Sequence, residues 1–189
     1  MGRRAVHTLA ALTEAGVALA ADGGPPAVTM QGVAAACGAT NGTLYHRFSG
    51  RPHLLGEVWL SVVEGFHRDW WAEVEPQRDP GAIAVVPLRW AATHRPAAKV
   101  LALHRVEAFL GLDSPPSVRD RAAEARRRGA EAWAALAARF GAPVDRVVFA
   151  LATVPLAALR RPLTAGEPIP AAAEEWVHTT AVALLGGAR

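Results

Sequence analysis

Between Thr40 and Arg51 the chain sets short polar side chains around two apolar ones. Thr40, Asn41, Gly42, Thr43, Tyr45, His46, Arg47 and Arg51 surround Leu44 and Phe48. The chemistry this run offers is hydrogen bonding to a polyanion. Hydroxyls such as those of Thr43 and Tyr45 suit phosphate oxygens. Asn41, His46 and Arg47 reach far enough for base edges, where Asn favours adenine and Arg favours guanine. Arg51 opens the next expected helix, whose free N–H groups add partial positive charge. Other chemistry is poorly served. Cys37 is the only cysteine, so an intramolecular disulfide and a thiolate-rich zinc site are both excluded. There is no His-Glu-x-x-His, no Gly-rich phosphate loop and no nucleophile motif. His104 and Glu107, three apart on an expected helix, are the one acid–base pair that an all-α enzyme could use. The expectation is a protein that is not an enzyme and needs no metal or cofactor.

The elements that must position these residues are short helices. Thr29 can cap a helix over Met30–Cys37, because its hydroxyl accepts a bond from a free backbone N–H. Gly38 ends that helix where a left-handed residue is needed. Thr40 caps a second helix that runs to about Phe48. Val33, Ala34, Cys37, Leu44 and Phe48 point inward, and Ala34 is small where the two helices cross. The second helix then stands out as a rod that fits a major groove about 12 Å wide. The alternative at this level is a helical hairpin whose polar face is merely wet. A preceding helix spans about Arg4 to Ala21 and is stopped by Asp22-Gly23-Gly24-Pro25-Pro26. A long helix follows over about Arg51–Val74, with Pro52 in its first turn.

Gly42-Thr43-Leu44-Tyr45-x-x-Phe48 followed by Arg51-x-x-Leu54-Leu55 resembles the TetR family of bacterial transcriptional regulators. So does Val28-Thr29-Met30-x-x-Val33-Ala34-x-x-x-Gly38 before it. The resemblance covers about the first third of the chain. It implies that Thr29, Thr43, Tyr45 and Arg51 hold the phosphate backbone, and that Asn41, Gly42 and Arg47 read bases. Two positions depart from the family pattern. Arg51 stands where Lys is usual and is followed by Pro52 in place of an acidic residue; Cys37 stands where Ala is frequent and reads as a small buried thiol. The resemblance further implies an all-α fold: an N-terminal helix-turn-helix DNA-binding domain, residues 1–55, and a helical effector-binding and dimerisation domain, residues 56–189.

For the second unit the residues themselves carry more of the reading. Helices are expected near 81–94, 96–112, 116–140, 143–160 and 171–186, with Pro87 and Pro155 kinking two of them. Arg161–Pro170 reads as a loop. Trp59, Phe66, Trp70, Trp90, Phe109 and Phe149 are core aromatics that also suit the walls of an apolar pocket, with His104 and Glu107 as polar contacts in it. Trp71 and Trp133 belong to the same aromatic set, and His67 and His94 are further polar candidates. Arg121, Glu124 and Arg128 have helical spacing and read as a solvated ion-paired face. The last two helices carry more Val, Leu and Ala than one buried face needs, which suits a two-fold dimer interface.

The composition permits these readings without arguing for them. A net charge of +3 in 189 residues neither demands nor forbids a nucleic-acid partner. Arg3-Arg4 and the alanines behind them imitate a secretory leader, but His7, Thr8, Thr13 and Glu14 interrupt the apolar stretch. The apolar run Val147–Leu159 makes about 20 Å of helix, short of a bilayer core of about 30 Å. The expectation is therefore a cytoplasmic homodimeric repressor. It binds a pseudo-palindromic operator on double-stranded DNA and is released by a small hydrophobic effector. Arg3, Arg4, Arg47 and Arg51 would give it a log–log salt slope of about −5 to −7. A regulator that needs no effector, with a solid aromatic core, is the alternative.

Overall fold

The computed structural model describes residues 8–187. The described residues are helical, without a strand. The order is α1 (Leu9–Ala27), α2 (Met30–Cys37), α3 (Asn41–Arg47), α4 (Arg51–Val74), α5 (Pro80–Thr93) and α6 (Arg95–Leu103). A 3-10 turn at Val106–Ala108 leads to α7 (Pro116–Phe140), α8 (Val144–Ala165) and α9 (Ala171–Leu185). Arg3, Arg4 and the expected helix start near Arg4 lie outside the described residues.

Two apolar clusters organise the chain. The first gathers Leu12, Val17, Val33, Leu44, Phe48, Leu54 and Val58 from α1–α4, together with Val100 of α6 and Phe109. The second gathers Trp70, Val74, Ile83, Leu88, Leu136, Val147, Leu151, Leu163, Val177 and Leu185 from α4–α9. Helix α4 serves both clusters and runs unbroken through residues 55 and 56. Close approach fixes it at two points. A Cβ on Gly16 would come within 3.0 Å of Val58, and one on Gly56 would come equally close to Val118 of α7. Glycine is what lets α1 and α7 seat against α4 there.

The structure departs from the expected helices in three places. α1 continues past Ala21, and the break comes at Gly24, whose φ of 70° is left-handed. The helix expected over 96–112 ends at Leu103. His104 and Arg105 are extended there, and the chain turns Phe109 into the first cluster, where it is 2 % exposed. His104 and Glu107 therefore do not share a helix face. Pro155 does not interrupt its helix, because a π-turn over Phe149–Thr153 precedes it and the Val154 N–H donates to the Phe149 carbonyl. The wider turn takes up the mismatch left by the missing proline N–H. α8 thus spans 22 residues, longer than the run read from sequence, and by length and composition it is apolar enough to cross a membrane. Val147, Ala150, Leu151, Leu159 and Leu163 of α8 are buried in the second cluster.

Candidate nucleic-acid interface and ligand cavity

The interface is built from its caps upward. Thr29 Oγ1 accepts from the Gly32 N–H at 2.9 Å, and Thr40 Oγ1 accepts from the Thr43 N–H at 3.2 Å. Each bond satisfies one otherwise free donor at a helix start. Gly38 closes α2 at φ 65°, a left-handed conformation that glycine adopts without a Cβ clash. Leu44 and Phe48 are buried, at 0 % and 1 % exposure, so α3 is held by its inner face. Asn41, Gly42, Tyr45, His46 and Arg47 are exposed and Thr43 is half-buried. The outer face of α3 is the set of polar groups read from sequence, fixed on a rigid base.

Some of these groups are already engaged. The hydroxyls of Thr40 and Thr43 lie 3.0 Å apart and bond to each other. Arg51 turns back toward the body of the protein. Its Nε donates to the Val28 carbonyl at 2.8 Å and its guanidinium donates to the Pro25 carbonyl at 2.7 Å. It staples the first turn of α4 to the α1–α2 junction, a role that spacing alone did not reveal. Cys37 is half-buried, with its Sγ 3.5 Å from the Ala11 carbonyl oxygen. Burial, then the Glu14 carboxylate, push its thiol upward, which keeps it protonated and unreactive.

A cavity of about 1080 Å³ opens among α4, α5, α6, α7 and α8. Phe66, Trp70 and Trp90, read from sequence as pocket residues, line it, as do Trp71 and Trp133. Phe66 meets the Trp90 ring edge-on at 5.0 Å, and Trp70 lies 5.3 Å from Trp133. The Trp90 indole N–H donates to Asp69 at 3.1 Å, which fixes the ring's orientation. The other expected pocket residues sit elsewhere. Trp59 packs on Phe109 at 5.3 Å in the first cluster, and His104 packs against the same Phe109. Glu107 is exposed in the 3-10 turn, and Phe149 is 49 % exposed on α8.

The opposite wall was legible only as an absence of bulk. Ala125, Gly129 and Ala132 follow one another along α7 at intervals of four and three, and all line the cavity. Small residues facing the aromatics of α4 leave the space. Among the lining residues His67 is half-buried opposite Gly129, and burial pushes its imidazole downward so that it stays neutral. The charged rim residues are all in ion pairs. Arg121 spans to Glu64 at 3.0 Å and Glu57 at 2.7 Å. Glu124 binds Arg127 and Arg128, Arg127 also binds Glu131, and Arg68 lies 3.7 Å from Asp69. The face read as Arg121–Glu124–Arg128 is thus divided. Arg128 does pair along α7, whereas Arg121 crosses to α4, because two α4 carboxylates converge within reach of its fork. Among the described residues no group of three or more His, Cys, Asp or Glu side chains is arranged to hold a metal ion.

Comparison with known proteins bears on the fold and on its first helices. Residues 12–58 match the family model for bacterial regulatory proteins, tetR family. No curated protein matches the chain by sequence. The fold is similar to that of a fatty acid degradation regulator, FadR, from Bacillus halodurans. The TM-score is 0.69 at 15 % identity, over 96 % of this chain and 100 % of that one. It is similar to a tetR family transcription regulator described as putative from Shewanella sp. PV-4, with TM-score 0.67 at 21 % identity over 94 % and 96 %. It is also similar to a ketosteroid transcriptional regulator of Mycobacterium tuberculosis, with TM-score 0.65 at 16 % identity over 98 % and 96 %. Residues 12–58 thus carry the match to the tetR family model, on a chain whose whole fold is similar to that of these solved structures.

Proposed function

We propose that the protein is a ligand-responsive transcriptional repressor that binds a pseudo-palindromic operator as a homodimer and is released by a large, apolar, uncharged effector. The observation that carries the reading is the cavity, about 1080 Å³ of mostly apolar-lined space with aromatics and alanines in its walls. Ligand pockets commonly enclose about 300–1,000 Å³. A regulator without an effector would have its aromatics packed solid. Because the charged groups at the rim already have partners, an ionic ligand would have to break a pair to gain one. A neutral molecule with one hydrogen-bonding group meets the neutral imidazole of His67 instead. The names of two similar regulators refer to fatty acid degradation and to ketosteroids. Lipid-like molecules of that size suit this cavity.

Two features support the dimer. Phe149, Trp176 and Val182 are exposed apolar residues on α8 and α9, with Trp176 at 64 %. A second copy would cover them. DNA contact falls to the outer face of α3, from Asn41 and Gly42 through Tyr45, His46 and Arg47, with Thr29, Thr40 and Thr43 at its edges, while Arg51 serves as the staple that holds α4 beneath them. The test uses the purified protein, a randomised duplex pool and Nile red, an uncharged apolar dye. Retained duplexes should share an inverted repeat. The dye should bind saturably and weaken retention, and Ala132→Trp should abolish dye binding while leaving retention intact. Recovery of no common repeat, together with unsaturable dye uptake, would refute the reading.

A further inference from the structure

Between the cavity rim and the recognition helix α3 lies a row of polar side chains, hydrogen-bonded except at one 3.8 Å approach between His53 and Glu57. Arg121 of α7 lines the cavity and grips α4 with a fork. One arm donates to both oxygens of Glu57, at 2.7 and 2.9 Å, and the other to both oxygens of Glu64, at 3.0 and 3.1 Å. Glu57 is only 8 % exposed, so its carboxylate depends on that guanidinium. One turn earlier on α4, His53 Nε2 stands 3.8 Å from Glu57. The other ring nitrogen, Nδ1, accepts the Ser49 backbone N–H at 3.1 Å. That bond requires an unprotonated Nδ1, so the ring proton sits on Nε2, facing Glu57. Ser49 is the second residue past α3. The preceding Phe48 presents its buried ring edge-on to His53 at 5.5 Å. The row therefore starts at a ligand-facing residue and ends at the backbone that carries α3 into α4.

We propose that Arg121, Glu57 and His53 are positioning residues that set the pose of α3 from the cavity rim. The proposal rests on the DNA-binding reading above and adds the route by which the cavity acts on it. Two other features suit α4 to the task. Arg51 binds its first turn to the α1–α2 junction, so the helix-turn-helix and the start of α4 move together. The tight Gly56–Val118 seat is a pivot beside Glu57. A ligand that shifts α7 against α4 changes the reach of Arg121 to Glu57, and the change passes to Ser49.

The test is a double-mutant cycle read as operator affinity. The full-length protein is titrated against a duplex recovered from the randomised pool, and against a scrambled duplex of the same length. Arg121 and His53 do not touch each other, so independent effects would add. Arg121→Ala and His53→Ala should each weaken operator binding by about twofold to thirtyfold, and the double variant should be no weaker than the worse single one. Binding to the scrambled duplex should stay unchanged. His53→Gln, which keeps an acceptor for the Ser49 N–H, should restore most of the loss. A second cycle with Arg121→Lys, which keeps the charge but not the fork, guards against a folding defect in the alanine variant. Additive losses, equal losses on both duplexes, or wild-type affinity in either single variant overturn the proposal. If the unaltered protein retains no duplex, the DNA-binding reading falls as well; additive losses with normal retention remove the proposal alone.

Discussion

Gly56 and Gly65 lie on one helix, α4, and the same substitution should drive them in opposite directions. At Gly65 a new Cβ meets nothing nearer than an Arg68 guanidinium nitrogen at 4.0 Å. Gly65→Ala therefore gains the helix preference of alanine, about 0.5–1 kcal/mol. At Gly56 the Cβ falls within 3.0 Å of Val118 and 3.1 Å from Leu110. Overpacking of this kind costs about 1–3 kcal/mol, which exceeds the propensity gain and leaves a net loss of about 0.5–2 kcal/mol. For a chain of this size 1 kcal/mol moves the melting midpoint by about 2–4 °C. Thermal unfolding followed by circular dichroism at one fixed protein concentration should show Gly65→Ala up by about 1–4 °C and Gly56→Ala down by about 1–8 °C. Adding Val118→Ala to Gly56→Ala should cost less than the two single changes sum to, because the obstructing methyl is gone. If Gly56→Ala stabilises the protein as Gly65→Ala does, α4 and α7 are not seated as described, and the pivot beside Glu57 is lost with them.

Three further outcomes follow from particular contacts. Arg51→Lys should destabilise the protein by about 1–2 kcal/mol in urea unfolding, since a lysine can serve only one of the two carbonyls that the fork holds; an unchanged midpoint would mean the staple contributes nothing. Burial pushes the Asp79 carboxyl up, but the Gly81 and Ala82 N–H groups and His178 outweigh it, and its net position is below the ordinary value of 3.8. A carboxylate lowered by folding stabilises the protein above its unfolded pKa and loses that effect as the pH falls through the folded one. The midpoint gap between wild type and Asp79→Asn should accordingly be full above pH 3.8 and close below it, and a gap that widens on acidification would contradict the sign. Trp176→Glu should convert the proposed dimer to monomer in sedimentation velocity, while the circular dichroism stays helical; wild-type protein that sediments as a monomer would refute the dimer.

What was legible in the sequence was what is decided locally. The Thr29 and Thr40 caps, the Gly38 corner and the inward residues Val33, Ala34, Leu44 and Phe48 each depend on neighbours within a few residues, and the structure contains them as read, whereas Cys37 of the same set is only half-buried. The misread places depend on distant partners. Nothing between Leu103 and Phe109 breaks a helix by type; the break exists because α1 and α4 offer Phe109 a buried site. Arg121 has a carboxylate on its own helix at the right spacing, yet two on α4 hold it more closely. Arg51 matched a family position for phosphate, but whether a guanidinium turns outward or back is settled by the Val28 and Pro25 carbonyls, 23 and 26 residues away. Likewise the aromatics were identifiable, but which of them border empty space depended on the alanines and the glycine facing them.

The wall of small residues on α7 also bears on how such a protein changes over generations. Ala125, Gly129 and Ala132 face the cavity, and none is buried in either apolar cluster. A one-codon exchange to a larger apolar residue there takes room from the guest and leaves α3 and its supports alone. Each added methylene is worth about 0.8 kcal/mol of apolar surface, enough to re-rank related guests by a few-fold. On the function proposed above, the same scaffold can therefore be reassigned from one apolar guest to another in small steps, while the outer face of α3 stays the same.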